Sequence, residues 1–184
     1  MLQAPFTLHK QMLAHIAKVK TAALDGLPAR IVVKVNALTD PLLIQALVQA
    51  AQAGADVDLI VRGACMLPPG IPGVTDRIRV RSVVGRFLEH SRVAYFRFCT
   101  QDEDEALFLS SADWMSRNMF GRIEVAWPVR DAKLRQRVID ECLVPYLHDR
   151  QDAWMLLPDG QYERIGSTGP SAQQALAERF ATPA

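Results

Sequence analysis

Two short apolar runs separated by a single helical stretch restrict the possible folds of this chain more than any other feature. Ala29 to Val35 is a β-branched run with the character of a buried strand, and Val57 to Val61 is a second. Runs that stay apolar without alternating are what a strand covered on both faces requires. Between them, Asn36 to Pro41 reads as a turn, with Thr39 or Asp40 capping a helix that runs to about Ala53 and stops at Gly54. The order strand, helix, strand predicts a right-handed crossover and a parallel pair, hence an α/β fold. Open sheets of this class place ligands at the carboxyl ends of their strands, which is where Arg62 stands.

The remaining segments extend that unit. A first helix is expected from about Leu8 to Leu24, with Thr7 as N-cap and Leu8, Met12, Leu13, Ile16 and Val19 on one face. Gly63 to Gly73, rich in proline, is an irregular loop. Ile78 to Val84 reads as a strand from which Arg79 and Arg81 leave on one face, and a short helical turn from Gly85 to Glu89 leads to His90. Arg92 to Phe98 and Ala106 to Ser110 form a hairpin pattern across the acidic segment Gln101 to Glu105. Ser111 to Asn118 reads as a helical turn, Arg122 to Trp127 as a strand, and Asp131 to Leu147 as one helix with Leu134, Val138 and Cys142 on a face. Two short strands, Ala153 to Leu157 and Gln161 to Arg164, precede a weak helix from Ser171. With 184 residues one domain is expected, spanning 1–165, with 166–184 a tail that is weakly helical or disordered.

Composition narrows the function classes. The formal net charge is +1, so an anion site has to come from local clustering of arginine, and bulk charge predicts neither a nucleic-acid nor a membrane partner. No run approaches the roughly 20 apolar residues of a membrane span. Cys65, Cys99 and Cys142 are far apart, without CxxC spacing, and read as reduced thiols of a cytoplasmic protein. There is no GxxxxGK[ST] loop, no Rossmann glycine pattern, no GxSxG elbow and no clustered carboxylate metal site.

Four histidines remain as candidates. His9 and His15 lie on the first helix and read as structural, and His148 closes a helix where a cation suits the dipole. His90 differs in its company, with Arg86 four residues before it and Arg92 two after. A histidine exchanges protons near neutral pH, and arginines at this spacing suit a polyanion. The residues alone leave His90 as a proton-transfer group or merely the end of a short helix, and Arg62 as a phosphate ligand or a surface residue capping the sheet. Ser110-Ser111-Ala112-Asp113 has N-cap chemistry, or offers N–H groups to a phosphate. Trp114 and Trp127 read as core.

Six blocks in order carry a resemblance. They are Ala4-Pro5-Phe6-Thr7-Leu8-His9; Lys34 to Pro41 (KVNALTDP); Asp58-Leu59-Ile60-Val61-Arg62-Gly63; Arg77-Ile78-Arg79-Val80 with Phe87-Leu88-Glu89-His90-Ser91-Arg92; Leu109 to Asn118 (LSSADWMSRN); and Arg122-Ile123-Glu124-Val125. From about residue 4 to about residue 165 the chain resembles the C-terminal (C2) domain of bacterial polyphosphate kinases. That resemblance implies a phospholipase D-like domain, a mixed β-sheet flanked by helices on both faces, in a superfamily where two similar domains each give one histidine to a shared site. It departs from the wider superfamily where His-x-Lys-x4-Asp would stand, with His90, Arg92 and Arg97, and it has Asp113 in place of an asparagine. Both departures favour the kinases over phosphodiesterases.

The resemblance implies an ATP:polyphosphate phosphotransferase that moves the terminal phosphate of ATP to inorganic polyphosphate, reversibly, through a phosphohistidine. In the family that nucleophile and the arginines that bind Mg2+ lie in a preceding domain, so the chain is expected to be the last catalytic subdomain of a longer, homo-oligomeric enzyme. Its partners would be ATP or ADP, polyphosphate and the upstream domains. Residue by residue, Arg62 matches the arginine that contacts ATP, and His90 matches the second histidine, a general acid or phosphate stabiliser. Lys34, Asn36, Arg81, Arg92, Ser111, Arg117 and Arg122 are candidates for lining an anionic channel. Two uses stay open: an enzyme part that is inactive alone, or a module that binds nucleotide or polyphosphate, or mediates assembly, without turnover.

Overall fold

The computed structural model describes residues 1–99, 105–166, 168–169 and 171–181. A short strand β1 (Leu2–Ala4) and helix α1 (Leu8–Leu24) precede the unit that the apolar runs predict: β2 (Arg30–Val35), α2 (Pro41–Gln52) and β3 (Asp56–Val61). β2 and β3 pair in parallel over their whole length. Asp40, not Thr39, caps α2, its Oδ1 accepting the Leu43 N–H at 3.0 Å, and Pro41 supplies the preset φ of a first helical residue. The same carboxylate meets His9 Nε2 at 3.0 Å and accepts from Ser116 Oγ at 2.7 Å, tying the first two helices to the residue that opens α3 (Ser116–Gly121).

β4 (Ile78–Val83) adds in parallel to β3, while β5 (Val93–Arg97), β6 (Glu105–Ser110) and β7 (Glu124–Pro128) add antiparallel beyond β2. With β8 (Ala153–Leu156) and β9 (Tyr162–Arg164) the sheet has nine strands in the order β1-β7-β6-β5-β2-β3-β4-β8-β9. Alternate residues of its central strands feed two cores. On one face α1 and α2 bring Met12, Ile16, Leu43 and Leu47 to Val33, Leu59 and Phe96. On the other, Leu143, Tyr146 and Ala172 meet Val32, Ile60 and Val93. Burial of each large apolar side chain contributes about 2 kcal/mol, so both faces are needed to hold the sheet. The α/β class with a mixed sheet and helices on both faces is therefore as expected.

Several local expectations are corrected. Gly85 to Glu89 forms no helical turn: Gln173, in α6 (Ala172–Ala181), accepts from Phe87 N and donates to Phe87 O, both at 2.7 Å, and so holds that backbone open. Helical structure starts at Ser116 rather than Ser111, because Ser111 N, Ala112 N and Trp114 N are taken by Val125 O, Ser110 Oγ and Ala37 O. The long helix after Asp131 is present without a gap, but within it α4 (Ala132–Val138) and α5 (Val144–His148) are joined by a π-helical turn (Ile139–Leu143). Pro145 accounts for the π-helical turn, since it lacks the N–H of a regular turn and its ring crowds the carbonyl four residues back. Thr7 stands at the N-cap, but its hydroxyl accepts from Gln3 N instead of capping α1. Trp114 is core, whereas Trp127 is 61% exposed. β5 and β6 pair as a hairpin, and the linking residues 101–104 lie outside the described residues.

Candidate functional site

The carboxyl ends of β2, β3 and β4 meet the start of β5 and the end of β6 along one edge of the sheet. Arg62 stands directly after β3. Its backbone is pinned by the Val35 carbonyl and by Ser82 Oγ, which donates to Arg62 O at 2.9 Å. The next residue is glycine for a steric reason, since a Cβ at Gly63 would sit 3.1 Å from the Asn36 carbonyl. The Arg62 guanidinium donates to the backbone carbonyl of Glu89. That contact joins the end of β3 to the segment that carries His90.

His90 is exposed, and Arg92 orders it. The two guanidinium Nη atoms lie 3.1 Å from His90 Nδ1 and 3.3 Å from Nε2. Arg92 is itself clamped by Asp113, with Nε donating to Oδ1 at 2.9 Å and Nη2 to Oδ2 at 3.2 Å. Asp113 Oδ1 also accepts the Asn36 N–H at 2.7 Å, so one carboxylate fixes the end of β2 and the arginine beside the histidine. Burial alone would raise the Asp113 pKa, but the hydrogen bond from Arg92 and those from the backbone hold it below the usual carboxylate range.

Below His90 lies a buried cluster that the sequence reading did not assemble. Lys34, 3% exposed, points from β2 into the second core, with Nζ 3.1 Å from Glu89 Oε1 and 3.1 Å from the centroid of the Tyr146 ring. Glu89 Oε1 accepts from Ser91 Oγ at 2.6 Å, and Oε2 accepts from Tyr146 Oη. Burial pushes the Lys34 ammonium down to about 8 against the pull of Glu89. Glu89 is held at about 2: burial opposes ionisation, but Ser91, Tyr146 and the Lys34 charge outweigh it. Glu89 and Tyr146 thus join the candidate site without having been singled out in the sequence, and Asp113, singled out there as a cap, is instead the clamp on Arg92. Glu89 had a signal, as the residue next to His90 inside the quoted block; Tyr146 had none.

Of the channel candidates, Lys34, Asn36 and Arg92 converge on this place. Ser111 is engaged elsewhere, donating to the Glu124 carboxylate beside Asn118, whose Nδ2 donates to Glu124 at 2.8 Å. Arg117 and Arg122 are exposed on α3 and just after it. Arg81 stands in register with Ile60, which is itself in register with Lys34, and its guanidinium is engaged by the Tyr146 and Leu147 carbonyls near the end of α5. Among the described residues no group of three or more His, Cys, Asp or Glu could hold a metal ion.

An imidazole is thus held against one guanidinium, with a second guanidinium on the carbonyl of the residue before it. Comparison with known proteins gives the family. The sequence profile described as "Polyphosphate kinase C-terminal domain 2" matches residues 1–176. The chain belongs to the polyphosphate kinase family. It is 51% identical to the polyphosphate kinase of Pseudomonas aeruginosa over all of its length, which is 26% of that protein, and 51% identical to that of Burkholderia ambifaria over 97% of its length, again 26% of the relative. It therefore spans about a quarter of the polyphosphate kinases it matches. The crystal structure of polyphosphate kinase from Porphyromonas gingivalis superposes with a TM-score of 0.90 at 34% identity, covering 98% of this chain and 28% of that one. A phospholipase D family member, Nuc, from Salmonella typhimurium shares the fold, with a TM-score of 0.52 at 17% identity, covering 76% of this chain and 87% of that one. No helix among the described residues is long and apolar enough to cross a membrane.

Proposed function

We propose that this domain supplies one wall of the active site of an ATP:polyphosphate phosphotransferase, with Arg62 binding phosphate oxygens and His90 acting opposite a phosphorylated histidine elsewhere in the kinase. The observation that supports the reading is the chain Asp113, Arg92, His90, joined to Arg62 through the carbonyl of Glu89, the residue before the histidine. Phosphoryl transfer asks little covalent chemistry of a protein and much positioning and charge stabilisation. In this reading the terminal phosphoryl group of ATP leaves its bridging oxygen for the nucleophilic histidine and then passes to the end of a polyphosphate chain. Arg62 neutralises the non-bridging oxygens, and His90 donates a proton to the leaving oxygen, a step of a kind that contributes ~10²- to 10⁴-fold.

The partners in this reading are ATP or ADP, inorganic polyphosphate and the rest of a homo-oligomeric kinase, working in the bacterial cytoplasm. Mg2+, with ligands outside this chain, would neutralise phosphate charge when bound. The reading is tested by incubating the isolated chain, and the chain within a complete kinase, with γ-labelled ATP. The complete enzyme is expected to take up label that survives alkali and is lost in acid, the pattern of phosphohistidine, and the isolated chain none. Such label on the isolated chain would show that the nucleophile lies within it and overturn the assignment of His90.

A further inference from the structure

Among the described residues, three buried side-chain nitrogen or oxygen atoms have no hydrogen-bond partner, and two of them are donors: Lys34 Nζ and Asn36 Nδ2. Both residues line one small cavity with Arg62, Glu89, Ser91 and Tyr146. Leaving a buried N–H without an acceptor is costly, and two in one cavity call for a common acceptor. Lys34 has three N–H groups; the ammonium meets Glu89 Oε1 as an ion pair at 3.1 Å and lies on the Tyr146 ring, so one carboxylate oxygen is the acceptor for three donors. The cavity measures about 10 Å³, room for one oxygen-sized atom. Glu89 and Ser91, two of its walls, bracket His90 in sequence.

We propose that this cavity is an oxyanion pocket that receives one non-bridging oxygen of the phosphate lying between Arg62 and His90, with Lys34 Nζ and Asn36 Nδ2 as its donors. The inference rests on the phosphate-binding reading of Arg62 and His90 and adds the place where one oxygen of that phosphate goes. The local charge suits an anion. Lys34 and Arg62 bring two positive charges against the single carboxylate of Glu89, and both oxygens of that carboxylate are already occupied by Lys34, Ser91 and Tyr146. The size of the cavity selects an oxygen rather than a whole phosphate group, which leaves the phosphorus at the mouth. A neutral water would satisfy the same donors without using the charge, so the decisive question is whether a phosphate reaches Asn36.

The chain has two asparagines, and Asn118 Nδ2 is already committed to Glu124, so it serves as an internal reference. Chain labelled with 15N-asparagine is titrated with tripolyphosphate in one arm and with a non-hydrolysable ATP analogue in the other. The expected result is a saturable shift of the Asn36 side-chain amide in at least one arm while that of Asn118 stays in place; the arm that produces it identifies the source of the phosphate. Asn36→Ala and Lys34→Met are expected to weaken the same binding by about tenfold or more, as loss of one charge-assisted hydrogen bond does. If Lys34→Met fails to fold, the wild-type titration still decides. A stationary Asn36 amide in a chain that binds the ligand, with Arg62→Ala weakening that binding, would overturn the pocket and leave the Arg62 reading intact. No binding in either arm would overturn both.

Discussion

Arg62 and His90 are coupled through a single backbone group: the Arg62 guanidinium donates to the carbonyl of Glu89, the residue immediately before the histidine. A lysine at position 62 would keep the charge but present a point donor in place of a planar fork. Arg62→Lys is therefore expected to lower kcat/KM for ATP by about 10- to 100-fold in a complete kinase, with kcat falling as well as KM rising, because the histidine loses its tether. A change confined to KM, measured by steady-state polyphosphate synthesis, would show that the tether does not matter.

Asp113 is expected to act through Arg92. Asp113→Asn weakens the clamp on a largely buried guanidinium and should cost about 1–3 kcal/mol in urea unfolding, along with at least a tenfold loss of kcat. Arg92→Lys should also reduce kcat, since an ammonium cannot hold Asp113 with two donors and lie against His90 at once. Full activity in both variants would remove the positioning role.

Glu89 and Lys34 give stability two limbs in pH. The folded pKa of Glu89 is depressed to about 2 from 4.5, so its stabilisation is present above about 4.5 and is lost as pH falls towards 2. Allowing for its partial exposure, about 2 kcal/mol is at stake, and Glu89→Gln should flatten this acid limb. Lys34 gives a slope of the same sign at higher pH. With a folded pKa of about 8 against 10.5, the unfolded chain holds the proton across that range, so stability rises with pH between the two values. Urea midpoints across pH 2–11, compared with those of Lys34→Met, check both limbs.

Arg81 is expected to matter for stability rather than for phosphate. Its two carbonyl acceptors near the end of α5 predict a loss of about 1–2 kcal/mol for Arg81→Ala, with tripolyphosphate affinity within about twofold of wild type by calorimetry. A tenfold loss of affinity in a folded variant would place Arg81 in the channel after all.

The parts of the fold that could be read in the sequence are those specified locally. The apolar runs of β2 and β3, the Asp40-Pro41 start of α2 and the stop at Gly54 each sit within a few residues of what they determine. What could not be read depends on distant partners. Gln173 holds Phe87 from 86 residues away, so the Gly85–Glu89 segment had no local sign that it would be irregular rather than helical. The regular spacing of Leu134, Val138 and Cys142 hid the π-helical turn before Pro145. At the site, His90 and Arg62 stood out by motif and strand position. The clamp Arg92–Asp113 spans 21 residues and the contact Glu89–Tyr146 spans 57, and nothing in one strand's sequence says that its lysine will be buried on an aromatic ring.

The central claim is that this domain contributes one guanidinium and one imidazole to a phosphotransfer completed by a histidine outside it. Polyphosphate synthesis by a complete kinase carrying His90→Ala tests it most directly, with circular dichroism confirming the fold. The account predicts a rate at least about 100-fold below wild type, the scale of a lost general acid. A folded His90→Ala enzyme working at the wild-type rate would contradict it.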